Sequence, residues 1–343
     1  MRRESPYGRH VQDAFGHQIS YLRVSITDRC NERCAYCMPA ELQEWLPREE
    51  VLSYEEILRV VRVAASLGVR KIRVTGGEPL TRRDVLTFFE MLREVAGIED
   101  IGISTNGVLL SHRVADGSTM ACALRACGVR TANISLDTLD RGHYAAITGR
   151  DYLPQVLDGI DAAIEAGFES VKLNAVLVRG QSEKSIFELI EFARNKDLLL
   201  RFIELMPVSD ADVLSDGRFL PVGEVMRRIE AEFGGLIPEP GFRTNGPASY
   251  HRLGGSGQRI GFIGAMTNVH FCESCNKMRL TCDGKLRPCL GSHLEFDLKP
   301  ALRRGADDDE LREIFLSVVA GKPKEHDFRN RYVPGRKMVA IGG

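Results

Sequence analysis

Cys30, Cys34 and Cys37 stand in the run SITDRCNERCAYCMP, spaced three residues and then two. Three thiolates on one short loop, with no fourth beside them, suit an iron–sulfur cube in which one iron keeps an open position for a small-molecule ligand. Zinc usually takes four protein ligands, or three when catalytic, and favours repeated C-x-x-C pairs. A disulfide needs an oxidising compartment, which nothing in the composition suggests. The loop follows the alternating apolar residues Leu22, Val24 and Ile26. It is therefore expected at the carboxyl end of a strand, the end that carries chemistry in parallel barrels.

A second group comprises Cys272, Cys275 and Cys289. Read alone, it is either a zinc clip tying a small domain together or another cluster site. Cys282 could complete a four-cysteine set, because it and Cys289 lie on opposite arms of an expected hairpin. That hairpin is signalled by Asp283-Gly284 between strands at 278–282 and 285–290. Cys122 and Cys127 read as buried helix residues.

Six strand-like segments, at 21–26, 70–75, 99–104, 129–136, 170–178 and 198–205, alternate with helix-like ones. In the first helix Ser53 and Glu56 form a capping box, Ile57, Val60, Val61 and Ala64 make the apolar stripe, and Gly68 ends it. Further helices are expected at 84–95, 154–166 and 182–195. Repeated strand–helix units mean a parallel sheet, and six are too few for the closed eight-unit barrel. Past about residue 207 the alternation fades into a stretch broken by Pro238, Pro240, Gly241, Gly246, Pro247, Gly254, Gly255 and Gly257. A last helix is expected at 306–319, with Asp307, Asp308 and Asp309 at its amino end.

Side chains alternate across a strand. If Ile72 and Val74 face the helices, then Lys71, Arg73 and Thr75 face the lumen. By the same rule Arg23 and Ser25, and Lys172 and Asn174, point inward; the facing of Arg201 is ambiguous. Enclosed cations are costly unless an anion fills the space or acids such as Glu78 or Asp137 pair with them. Guanidinium groups suit bidentate phosphate binding, so the lumen is expected to hold a polyphosphate. Thr75-Gly76-Gly77-Glu78-Pro79 ends the second strand, where glycines permit close backbone approach to a ligand.

The first cysteine loop, with Tyr36 before its last cysteine, resembles the signature of the radical S-adenosylmethionine superfamily. Gly76-Gly77-Glu78-Pro79 resembles that superfamily's GGEP element. With Cys-x2-Cys-x13-Cys and the run CNKMRLTCDGKLRPCL, nearly the whole chain is similar to the GTP 3′,8-cyclase family of molybdenum cofactor biosynthesis. The resemblance implies an α/β fold: a partial (β/α)6 TIM-like barrel over 1–237 and a C-terminal iron–sulfur-binding extension over 238–343.

It also implies two [4Fe–4S] clusters, one on Cys30, Cys34 and Cys37 and one on Cys272, Cys275 and Cys289, each with an open iron. S-adenosylmethionine contacts are implied at Tyr36, Gly77, Ser135 and Met206. GTP contacts are implied at Arg23, Arg73, Thr105, Lys172, Lys277, Met278 and Arg279. Arg73, Lys172, Gly342 and Gly343 are implied to be catalytic, the last two as a tail threading toward the active site. The implied activity is that of a lyase. A 5′-deoxyadenosyl radical takes the ribose 3′ hydrogen and the ribose then closes on guanine C8. Implied partners are GTP, an external one-electron donor and a downstream cyclic pyranopterin monophosphate synthase, with a homodimer left open. Two alternatives stand beside this reading: a radical S-adenosylmethionine enzyme acting on a peptide or tetrapyrrole, and a zinc-stabilised binding module without turnover.

Composition bounds the rest. The 343 residues carry a net charge of −1 and are 43% hydrophobic. That is enough for a sizeable core and gives no argument for nucleic acid or a membrane surface. The first twenty residues are polar, broken by Pro6, Gly8 and Gly16, and contain no apolar signal-like stretch. The expectation is a cytoplasmic protein whose nine cysteines are reduced unless they bind metal.

Overall fold

The structure, a computed structural model, describes residues 11–38, 44–208, 217–244, 246–330 and 332–342. The first part alternates β1 (Tyr21–Ser25), α1 (Tyr54–Ser66), β2 (Lys71–Thr75), α2 (Val85–Arg93), β3 (Asp100–Thr105), α3 (Met120–Ala126) and β4 (Thr131–Ser135). It continues with α4 (Arg141–Thr148), α5 (Leu153–Glu165), β5 (Ser170–Leu177), α6 (Ile186–Asn195) and β6 (Leu199–Glu204). Beyond these come α7 (Val222–Phe233), β7 (Leu236–Pro238), β8 (Ser249–Leu253), β9 (Arg259–Ile263), β10 (Lys277–Leu280), β11 (Lys285–Arg287) and β12 (Phe296–Asp297). The chain ends with α8 (Lys299–Arg303), α9 (Asp308–Ala320) and α10 (Met338–Ile341).

All six expected strands form, in one parallel run β1 to β6. The Ser53–Glu56 capping box closes as expected: Glu56 N donates to Ser53 Oγ at 3.2 Å and Ser53 N to Glu56 Oε2 at 2.7 Å. Asp307 caps α9 by accepting from Glu310 N at 2.8 Å. The Asp283-Gly284 turn joins antiparallel β10 and β11. Helix-facing residues such as Leu22, Val24, Ile72, Val74, Ile103 and Leu173 are fully buried in one core. Truncating any of them to alanine costs roughly 2–5 kcal/mol.

The later chain extends this sheet at both edges. β10 pairs parallel with β1, and β9 pairs parallel with β6. The order is β12-β11-β10-β1-β2-β3-β4-β5-β6-β9-β8-β7, so the twelve strands make an open, partial barrel. β8 falls in the stretch read as loop-rich and β9 follows directly after it. Gly261 weakens β9 as a sequence signal, yet the position requires glycine. A Cβ there would stand 2.8 Å from Arg201 Cγ and from Tyr250 Cε1. Helices α4 and α7 also went unread, being short or starting beside Pro221, while α3 was read only as the helix of Cys122 and Cys127. One correction concerns the α3 cysteines: Cys127 is buried, but Cys122 is exposed on the outer face of that helix.

Candidate active site across a cationic cavity

The strand ends place the two cysteine sets. Cys30, Cys34 and Cys37 follow the carboxyl end of β1. Cys272 and Cys275 precede the amino end of β10, which runs parallel to β1 with Lys277 beside Tyr21. Cys289 follows β11, whose antiparallel pairing returns it to the same end. Six thiols therefore line one cavity of 400 Å³ from opposite rims. Cys282 lies two residues beyond the other end of β10, buried, with its thiol toward Ala340 O at 3.9 Å. It stands apart from the second set.

The first loop is anchored by its backbone. Arg33 N donates to Thr148 O at 2.7 Å and Ala35 N to Ile147 O at 2.9 Å, tying it to the end of α4. Gly77 N donates to Thr27 O and Glu78 N to Arg29 O, each at 2.8 Å. A Cβ on Gly77 would stand 2.3 Å from Arg29 O, so the Gly-Gly element and the cysteine loop can only pack without a side chain between them. Burial, with Glu78 nearby, pushes Cys30 up to about 12, and burial does the same to Cys37. These are neutral thiols until a metal deprotonates them.

Among the described residues no three His, Cys, Asp or Glu side chains converge as ligands to a single metal ion. Each set brings three thiols to the cavity, the donor chemistry of a cube that keeps one iron open.

Between the rims the inward face of the sheet is cationic. Parallel register aligns Arg279, Arg23 and Arg73 on β10, β1 and β2. It aligns Asn174 with Arg201 on β5 and β6, which settles Arg201 as inward. Lys71 pairs with Asp100. The other cations reach neutral partners. Arg73 donates to Ile103 O at 2.9 Å, to Thr131 O at 3.2 Å, to Thr131 Oγ1 at 3.0 Å and to Tyr21 Oη at 3.2 Å. Lys172 donates to Ser170 Oγ at 2.8 Å and Arg201 to Asn174 Oδ1 at 2.9 Å. Burial, then Arg201, Arg73 and Lys71, lowers Lys172 to about 7. Burial and Arg23 lower Arg279 to about 9.

The two acids considered as partners are committed elsewhere. Glu78 accepts from Thr105 Oγ1 and Asn106 N at 2.8 Å and from Leu80 N at 3.0 Å. Asp137 accepts from Tyr36 Oη at 2.7 Å and Val176 N at 2.8 Å. Burial raises Glu78 to about 7 and Asp137 to about 6.

Residues 24–193 match the Radical SAM superfamily, and residues 198–328 match Molybdenum Cofactor Synthesis C. The chain is 43% identical over 333 residues to the GTP 3′,8-cyclase of Pelotomaculum thermopropionicum, covering 97% of this chain and 100% of that one. It is 45% identical to the GTP 3′,8-cyclase of Moorella thermoacetica, with the same coverage. The chain belongs to the GTP 3′,8-cyclase family. Its fold is also that of Streptococcus suis SuiB, in crystal structures with S-adenosylmethionine (TM-score 0.54) and with the precursor peptide SuiA (TM-score 0.56). Each is 16% identical and covers 93% of this chain, with 76% and 75% of that one.

Of the positions carried over from the cyclase family, Tyr36, Gly77, Ser135 and Met206 line the carboxyl part of the cavity. Arg23, Arg73, Thr105, Lys172, Lys277 and Arg279 line it too. Met278 does not. It is fully buried on the opposite face of β10, in the apolar core. Gly342 packs against Ser25 and Thr75, and its carbonyl accepts from Arg279. Gly343 lies outside the described residues.

Tyr21 went unread, although its place two residues before Arg23 puts it inward. Lys71 and Lys277 lie 5.6 and 5.5 Å from its ring centre. Burial opposes its ionisation, but Arg73 and Arg23 prevail and lower it to about 7. Gly102 also went unread. A Cβ there would stand 2.5 Å from Arg73 Cζ, so this glycine gives the guanidinium its path across β3.

Proposed function

We propose that this family member cyclises GTP to (8S)-3′,8-cyclo-7,8-dihydroguanosine 5′-triphosphate in molybdenum cofactor biosynthesis. The observation that carries this reading is the single cavity with thiols at both rims and a cationic wall between them. When bound, the first [4Fe–4S] cluster and S-adenosylmethionine supply the 5′-deoxyadenosyl radical that takes the ribose 3′ hydrogen.

The chain's own residues bind and orient. Cys30, Cys34 and Cys37 hold the first cluster, and the backbone at Gly77, with Tyr36, Ser135 and Met206, holds the cosubstrate. Cys272, Cys275 and Cys289 would hold a second [4Fe–4S] cluster, whose open iron would recognise the guanine. Arg23, Arg73, Lys172, Lys277 and Arg279 neutralise the triphosphate, as their charge and inward facing favour. Gly342 brings a bare backbone against Ser25 and Thr75, and Gly343 completes the catalytic tail. Residues 1–237 make the cosubstrate core and 238–343 carry the second cluster. An external one-electron donor and a cyclic pyranopterin monophosphate synthase complete the sequence, in the cytoplasm.

Anaerobic reconstitution followed by incubation with GTP, S-adenosylmethionine and dithionite tests this. The expected outcome is the cyclised nucleotide with matching amounts of 5′-deoxyadenosine and methionine, from protein holding about eight irons. Fully loaded protein that forms no cyclised nucleotide would overturn the reading.

A further inference from the structure

Lys322 follows α9 and is only 4% exposed. Its Nζ donates to Pro288 O at 2.6 Å, to Lys277 O at 3.1 Å and to Cys275 Sγ at 3.5 Å. The three acceptors come from the segments that build the second cysteine set. Cys275 closes the C-x-x-C pair, Lys277 opens β10, and Pro288 directly precedes Cys289. An ammonium has three donors and no lone pair, so three acceptors satisfy it completely. A neutral amine would turn its lone pair against an oxygen or the sulfur. A buried charge persists only where it is compensated. None of these three partners is a carboxylate, and the sulfur is the one that carries negative charge when it ligates a metal.

We propose that Lys322 is a positioning residue and counter-ion for the second cluster. It clamps the Cys275 and Cys289 segments together and raises the cluster's reduction potential. The proposal rests on the assignment of a cluster to Cys272, Cys275 and Cys289. Reduction adds a negative charge, and a fixed cation bonded to a ligand sulfur favours that reduced form. The nearer carbonyl bonds fix the distance between the two cysteine segments, as outer partners do at metal sites generally.

The test isolates the second set in a Cys30→Ala/Cys34→Ala/Cys37→Ala background, reconstituted anaerobically. About four irons and four sulfides per chain are expected there. Absence of any cube in that background would overturn the second-cluster assignment, and the role of Lys322 with it. With the cube present, Lys322→Gln is expected to move the midpoint of a reductive titration to more negative potential. It should also release iron to a chelator about tenfold faster, with Lys322→Arg between it and the parent. A fully loaded Lys322→Gln protein with an unmoved midpoint would overturn the proposal while leaving the cluster assignment intact. If Lys322→Gln does not load, the parent labelled with nitrogen-15 lysine decides. Pulsed paramagnetic resonance of its reduced cube should show a lysine nitrogen coupling that disappears in Lys322→Arg, and its absence from the parent would refute the contact.

Discussion

Arg73 is held by the fold before any ligand arrives. Its guanidinium serves two backbone carbonyls, a threonine hydroxyl and Tyr21, in the space opened by Gly102. Arg73→Ala would strand those acceptors and is expected to cost roughly 2–4 kcal/mol of stability, read from denaturant midpoints. Loss of nucleotide binding in that variant would mix two effects. Arg73→Lys separates them, because the charge stays while the fork goes. Its GTP affinity should fall at least about tenfold, for a stability loss under about 2 kcal/mol; equal affinity would remove Arg73 from the phosphate site. Lys172 yields a pH prediction. It starts near 7 because of burial and its cationic neighbours. A bound triphosphate favours the charged form and raises that value. GTP binding should therefore take up a proton near neutral pH, and affinity should decline as pH rises above about 7. Calorimetry in buffers of different ionisation enthalpy measures the uptake, and Lys172→Gln should reduce it, leaving the share that Tyr21 contributes.

At the scale of elements, α10 presses Gly342 onto β1 and β2. Gly342 has φ +87°, and a Cβ there would stand 2.6 Å from Thr75 Cγ2 and 3.0 Å from Ser25 Cβ. Gly342→Ala should thus displace the tail and release Arg279 from its carbonyl. The expectation is at least a hundredfold loss of turnover with iron and sulfide contents unchanged; near-normal turnover would exclude a role for this contact. The six parallel strands, the α1 cap and the β10–β11 turn were legible because each has a local signal: alternation, a capping box, Asp-Gly. Inward cations were legible by the same alternation. Strands β8 and β9 were not, because β9 is paired to distant β6 and β8 to β9, and because Gly261 serves Arg201 rather than its own strand. Lys322 carried no pattern at all. Its role exists only once the Cys275 and Cys289 segments are folded beside it. Met278 shows the converse: a position taken over from a family motif meets the pleat, which turns it into the core.

For the whole molecule, what matters is that one sheet fixes the distance between the two rims. Tyr21 to Ser25 is four rises, about 13 Å, and the cysteine sets lie beyond either end. The cosubstrate rim hangs on β1 to β6 and α4, whereas the nucleotide rim hangs on β10, β11 and the turn after α9. The rims meet along the β1–β10 pairing, but each cysteine set sits on loops beyond that pairing, so the two rims should fail separately. Cys272→Ala/Cys275→Ala/Cys289→Ala is expected to keep about four irons and to bind S-adenosylmethionine as the parent does. The triphosphate should still find the cationic wall, but the base would lose its facing cluster. GTP should then bind no better than a nucleotide triphosphate with another base. Equilibrium dialysis of both ligands, with iron counted on the same samples, measures this. Loss of S-adenosylmethionine binding from a folded protein with four irons would show that the rims are coupled through the sheet. Undiminished preference for guanine would place base recognition on the wall and not at the second cysteine set.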